Sequence, residues 1–191
     1  MTDTLDPKTT ALLVMDFQTL IVEGFADGKE ALLDRTSRLI EAARKAGVMV
    51  LYVVVGFRPG HPEISPRNAV FGPVRQSGMF ASGTPGTEIH PAVSPRENEI
   101  TVTKHRVGAF LGTDLDMVLR ANGIVSLLLA GIATSGVVLS TLRHAADADY
   151  RIIVVSDCCS DRDPEVHRIL MEKIFPRQAK VLTAEELISA L

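Results

Sequence analysis

Residues 124–157 constrain the fold more than any other stretch of the chain. Residues 124–130 form a short, continuous apolar run, the pattern of a strand buried on both faces. Residues 131–136, GIATSG, are a turn of small residues with two glycines. From Val137 the spacing turns helical, with Val138, Leu142, Ala145 and Ala146 on one face. Residues 151–156 are a second buried-strand run. Strand, helix and strand in this length make the βαβ unit of a parallel sheet. The turn would present backbone N–H groups at a helix N-terminus, where negative charge is stabilised.

Patterns elsewhere extend the same architecture. Residues 10–16, TALLVMD, read as a first strand ending on a carboxylate, and residues 17–28 as a loop whose apolar members must cover something. Residues 29–46 carry an amphipathic helical pattern, stopped by Gly47. Residues 48–55 are a β-branched second strand, residues 99–103 a third with Lys104 directly after it. Thr113, with Asp116 three residues on, has the form of a capping box for a helix that ends at Gly123. Residues 164–175 read as a helix, 179–182 as a last strand, and Thr183 with Glu186 as the capping box of a terminal helix. Six strands alternating with helices predict a three-layer α/β/α domain over residues 1–191, with a mainly parallel six-stranded sheet.

Residues 56–98 stand apart. They hold seven of the ten prolines and six of the fourteen glycines, with little periodicity. Such a stretch suits a lid, an oligomer contact or an irregular cover layer.

Charge and composition exclude several functions. A net charge of −3, with no tract of Lys and Arg, excludes nucleic acid and anionic membranes as partners. No run approaches the ~18 apolar residues of a membrane helix. The first residues, MTDTLDPKTT, are polar and acidic, unlike a secretory leader. The only cysteines are the neighbours Cys158 and Cys159, which suit free, buried thiols in a reducing cytoplasm.

Ligands of such sheets bind beyond the carboxyl ends of the strands. Asp16 and Lys104 stand at two of those ends. A lysine at the end of a buried strand demands a counter-charge, and Asp16 can supply it. On these residues alone, a structural ion pair and a functional pair are equal readings.

Four stretches together resemble the isochorismatase-like (cysteine hydrolase) superfamily: ALLVMDFQ at 11–18, GTPGTEIHP at 83–91, VTKHRVGAFLGTDLDMVLRANGI at 102–124 and LLLAGIATSGVVLSTLRHAADADYRIIVVSDCC at 127–159. The resemblance implies the α/β fold above, an Asp at Asp16 and a Lys at Lys104 as catalytic residues, a cis peptide at Ile132–Ala133, and a homo-oligomer, dimer or tetramer. The family turn reads roughly G-x-x-T-x-x-C-V, and this chain places Val137 at the cysteine. Cys159 matches a family position for a buried, non-catalytic cysteine. Ser135 and Ser140 are near substitutes, better suited to solvated or capping roles.

The expected activity is therefore a hydrolase without a cysteine nucleophile, acting on a small, carboxylate-bearing molecule by Asp16/Lys104 acid–base chemistry, as in vinyl-ether hydrolysis. A non-catalytic binding or scaffold relative is the alternative, or an amide hydrolase with another nucleophile. Phe17 would raise the Asp16 pKa by burial. Phe57, Phe80 and Phe110 would line an apolar pocket, Arg58 would bind the carboxylate bidentately, and Ser135, Gly136 and Val137 would form the turn wall. No cofactor is expected and no metal, because His61 with Glu63 lacks the Asp and second His of the family's metal-binding branch. His90 and His105 read as ordinary hydrogen-bonding residues.

Overall fold

The computed structural model describes residues 5–25 and 28–191. Six strands, β1 (Thr10–Met15), β2 (Met49–Val55), β3 (Ile100–Lys104), β4 (Ser126–Ile132), β5 (Arg151–Ser160) and β6 (Lys180–Leu182), form one sheet in the order β3-β2-β1-β4-β5-β6. Every neighbouring pair is parallel. The order grows outward in both directions from the β1/β4 boundary. That boundary is the topological switch point where such sheets open a crevice.

Both faces of the sheet are covered, so the central strands β1 and β4 are buried at every position rather than at alternate ones. Leu12 and Val14 of β1 face a layer built from α1 (Thr19–Phe25), α2 (Lys29–Ala46) and α7 (Ala184–Ala190). Ala11, Leu13 and Met15 face the other layer, from α4 (Leu115–Ala121), α5 (Leu139–Asp147) and the turns that follow α6 (Pro164–Ile169), which bury Leu170, Met171 and Phe175. α2 buries Leu32, Leu33, Leu39, Ile40 and Ala43 along one stripe and ends where Gly47 takes a left-handed conformation. Full burial of a leucine or isoleucine is worth about 2 kcal/mol, so this stripe anchors its layer. The Thr183–Glu186 capping box opens α7 as its sequence indicates.

Several boundaries differ from expectation. Residues 19–25 form α1 rather than loop, because Ile21 and Val22 bury one short face. Residues 26 and 27 of the expected loop lie outside the described residues, as do residues 1–4 of the expected single domain. α4 starts at Leu115 after Asp114, whose side chain makes no capping bond, while the Thr113 hydroxyl accepts the Leu115 N–H at 3.3 Å. The Thr113 hydroxyl is turned back to the Ala109 carbonyl at 2.7 Å, and Asp116 pairs with Arg120. A short helix, α3 (Gly72–Ser77), interrupts the proline-rich segment. β5 runs on to Ser160, so Cys158 and Cys159 lie within the strand, not after it. The Ala184 N–H donates to Asp157 Oδ1 at 2.7 Å, and this lets a carboxylate sit mid-strand. Past β4 the chain carries a cis peptide at Ile132–Ala133 and a single π turn, Thr134–Val138, before α5.

Candidate active site

The site is assembled at the carboxyl ends of β1, β3 and β4. Asp16 follows β1 directly, with a left-handed backbone (φ 58°) that aspartate tolerates better than most residues. Lys104 ends β3 and lies in register with Val55 at the end of β2. One strand therefore separates it from β1, and the long lysine side chain covers the gap. Lys104 Nζ reaches Asp16 Oδ2 at 2.9 Å and the Arg106 carbonyl at 3.1 Å. The two side chains are 3% and 7% exposed, so water screens this pair very little.

Satisfaction of the pair is one-sided. Among the described residues, Asp16 Oδ1 is the one buried side-chain polar atom with no hydrogen-bond partner. Burial pushes the Asp16 pKa above its ordinary value, against the opposing pull of the Lys104 ammonium.

Asp16 and Lys104 border a cavity of about 250 Å³. Its remaining wall is apolar. Val55 and Ile132 come from strand ends, Ile21 from α1 and Val107 from the segment after Lys104. The proline-rich segment contributes Val70, Phe71, Val74 and Phe80, which makes it a cover over the site. The turn after β4 gives Ala133, Gly136 and Val137. Gly131 makes this approach workable, because a Cβ there would stand 3.1 Å from both Met15 Cβ and Val138 Cγ2.

The structure thus brings together Asp16, Lys104, Phe80, Gly136 and Val137, and leaves other candidates elsewhere. Phe17 is wholly buried in the core under α1 and α2 and does not line the cavity. Phe57 is also core; it packs edge-on to Phe71 at 5.4 Å and so supports the wall from behind. Phe110 lies in the opposite layer, stacked on His144 at 4.4 Å. Arg58 points away, 72% exposed and paired with Glu63 at 2.7 Å. It cannot hold a ligand carboxylate in this cavity. Ser135 is exposed outside the cavity.

The turn also differs electrostatically from expectation. Asp161 Oδ2 accepts the Ser135 N–H at 2.7 Å, and the Ala133 carbonyl accepts from Gly136 and Val138. The chain's own carboxylate and carbonyl therefore occupy three of the donors expected to face an anion. Beside the turn, the Thr134 hydroxyl lies 2.8 Å from His167 Nδ1.

Neither cysteine is poised to react. Both are buried and free, and burial raises the Cys158 thiol to about 12 and Cys159 higher still. His61 Nε2 is held by the Met79 carbonyl at 2.8 Å and Glu63 by Arg58. Among the described residues no three His, Cys, Asp or Glu side chains converge as a metal site requires. Among the same residues, no helix is long and apolar enough to cross a membrane.

One organising residue escaped the sequence reading. Gln18 is fully buried; its amide donates to the Val55 and Thr87 carbonyls at 2.9 and 2.7 Å and accepts from the Val55 N–H at 2.8 Å. It ties the end of β2 to the cover segment two residues from Asp16. The only sequence signal was a polar amide placed directly after an apolar strand.

Comparison with known proteins places this arrangement. Residues 10–186 match the Isochorismatase domain. The chain is 34% identical to the isochorismatase family protein YecD of Escherichia coli O157:H7, covering 98% of each. It is 32% identical to the ureidoacrylate amidohydrolase RutB of Methylobacterium radiotolerans, over 89% of this chain and 74% of that one. Among solved structures, an isochorismatase family protein from Burkholderia thailandensis superposes with a TM-score of 0.87 at 32% identity, covering 98% of this chain and 97% of that one. The fold shared with that structure and these matches along the chain lead to one assignment: the chain belongs to the isochorismatase family.

Proposed function

We propose that the chain, read as one isochorismatase-like domain, is a hydrolase of small molecules that works by acid–base chemistry at Asp16 and Lys104, with water as the nucleophile. One observation carries this reading: Asp16 Oδ1 is buried, unpartnered and set at the cavity beside Lys104. A carboxyl group whose pKa is raised by burial can hold a proton and deliver it. On a vinyl ether, Asp16 gives its proton to the terminal vinyl carbon, leaving an oxocarbenium ion. Water adds to that ion and loses a proton, and the hemiketal breaks into a ketone and an alcohol. Lys104, already on Oδ2, stabilises the carboxylate that Asp16 becomes. Val137, at the position of the family's cysteine, serves as wall rather than nucleophile, and the chemistry asks for none.

Turnover tests this reading. A panel of vinyl ethers, charged and neutral and with isochorismate among them, is followed for ketone release. Asp16→Asn is expected to lower kcat/KM by about 10²–10⁴-fold. No turnover of any vinyl ether by the wild-type protein refutes the vinyl-ether reading.

A second reading, amide hydrolysis, is favoured by the 32% identity to a ureidoacrylate amidohydrolase. Ser135 lends it little support as nucleophile, since it lies outside the cavity. Appearance of amidase activity in Val137→Cys, with none in the wild type, would show an amidase framework that lacks only its thiol. A ligand that raises Tm without being consumed would instead favour a non-catalytic binding protein.

A further inference from the structure

The cavity wall makes a demand that acid–base chemistry alone does not. Apart from Asp16 and Lys104, the side chains around it are aliphatic or phenyl, among them Ile21, Val55, Phe71, Val74, Phe80 and Val107. Lys104 is the only cation among the residues that line it. Its ammonium already serves Asp16 Oδ2 and the Arg106 carbonyl.

Three arginines close in sequence to lining residues are committed elsewhere. Arg75, beside Val74, donates to the Ile64 carbonyl at 3.0 Å. Arg58 binds Glu63, and the Arg106 guanidinium donates to the Glu63 and His105 carbonyls at 3.1 and 2.6 Å. A ligand carboxylate entering here would lose its hydration, and the one ammonium lining the cavity already directs two of its three donors at Asp16 Oδ2 and the Arg106 carbonyl, whether or not Asp16 carries its proton. Desolvating an anion without a dedicated partner is strongly unfavourable, whereas a hydrocarbon body gains from every methylene it buries.

We propose that this cavity selects a neutral small molecule, an ether or amide with a short hydrocarbon body, over carboxylate-bearing analogues of the same shape. The proposal rests on the cavity beside Asp16 being the substrate site. It replaces the carboxylate anchor expected at Arg58 with apolar packing against the cover segment. A cavity of about 250 Å³ has room for such a body.

Saturated ethers, which have no vinyl or amide bond to cleave, separate this selection from catalysis. Titration calorimetry of the wild-type protein compares butyl methyl ether with butoxyacetate, its carboxylate-bearing counterpart. The neutral ether is expected to bind at least about tenfold tighter. Shortening it by one methylene weakens binding about fourfold. Equal or tighter binding of butoxyacetate overturns the proposal, and so does failure of both to bind. If the neutral ether binds as expected but no vinyl ether is hydrolysed, the catalytic reading fails and the selection stands.

Val70, 60% exposed at the cavity, offers a second test in a position where a new charge is compatible with folding. Val70→Arg supplies the missing cation and is expected to tighten butoxyacetate by about tenfold. If butoxyacetate gains nothing, the absence of a cation is not what sets the selection, and the proposal is overturned.

Discussion

β3 carries an ion pair near each end, and the two pairs are satisfied to very different degrees. At its amino end Glu99 meets Arg44 of α2 through two bonds, at 2.8 and 2.6 Å, and both side chains are 11% exposed. Arg44 also bonds Glu41, the Tyr52 hydroxyl and the Ser94 carbonyl, and the Arg96 N–H donates to Glu99. Burial alone would raise the Glu99 pKa, but Arg44 and the Arg96 N–H hold it below its ordinary value. At the carboxyl end, Asp16 meets Lys104 through one oxygen, its other oxygen has no partner, and burial prevails over Lys104 to raise its pKa. A low-exposure ion pair is therefore weak evidence of function by itself. An unpartnered oxygen at a cavity distinguishes the second pair from the first.

The largest effect that can break this contrast is on activity. Asp16→Asn removes the proton-bearing oxygen and is expected to cost about 10³-fold in kcat/KM. Its effect on Tm is expected to be small, because the Asn carbonyl still accepts from Lys104 and the cost of a buried carboxylate is relieved. If activity survives, the pair at the cavity is a second structural clamp and the contrast is lost.

At the other end the balance reverses. Glu99→Gln leaves Arg44 with a weakened, neutral acceptor in place of a bidentate charge. A loss of about 3 kcal/mol in urea unfolding is expected, with kcat/KM unchanged. A large fall in activity would show that the amino-end clamp reaches the site.

The pH dependence of stability sharpens the contrast through its sign. Glu99, with a lowered folded pKa, lends stability above its ordinary value of 4.5, and that stability is lost as pH falls through the folded pKa. Asp16, with a raised folded pKa, lends stability below its ordinary value of 3.8, and that stability is lost as pH rises through the folded pKa. Urea titrations from about pH 3 to pH 7 are expected to show a shallower acid loss for Glu99→Gln and a steeper one for Asp16→Asn than for the wild type. Shifts of the same sign in both variants would overturn the opposed assignments.

How much of this was legible in the sequence depended on the range of the physics involved. α2 was readable at both ends, because its buried stripe has helical spacing and Gly47 supplies the left-handed stop. Asp16 and Lys104 were readable because each stands where an apolar strand ends, but the strand order that joins them, with β2 between β1 and β3, is set by tertiary packing that the strand patterns do not specify. Burial of α1 depends on tertiary contacts that a short segment does not announce. Phe57 and Phe110 show a second limit. Residue type marks a phenylalanine as apolar, but only packing decides that one backs Phe71 while the other stacks on His144 across the sheet. The fifth strand read as ending at residue 156 because a mid-strand carboxylate needs partners, and those of Asp157, the Ala184 N–H and Arg35, lie far along the chain.

The smallest effect belongs to the periphery of the amino-end clamp. The Tyr52 ring is buried, and its hydroxyl donates to the Ser94 carbonyl and accepts from Arg44, both at 3.3 Å. Burial raises its pKa to about 12, so it stays a neutral donor throughout the working range. Bonds of this length are weak, and Tyr52→Phe keeps the ring and its packing. The Ser94 carbonyl retains Arg44 as a donor after the change, so no buried acceptor is stranded. A loss of about 1 kcal/mol is therefore expected, read as a lower urea midpoint with an unchanged slope. A loss as large as that of Glu99→Gln would mean that the hydroxyl, rather than the bidentate carboxylate, holds Arg44 in place. The clamp would then owe its strength to a neutral network, and charge pairing would no longer be the feature it shares with Asp16 and Lys104.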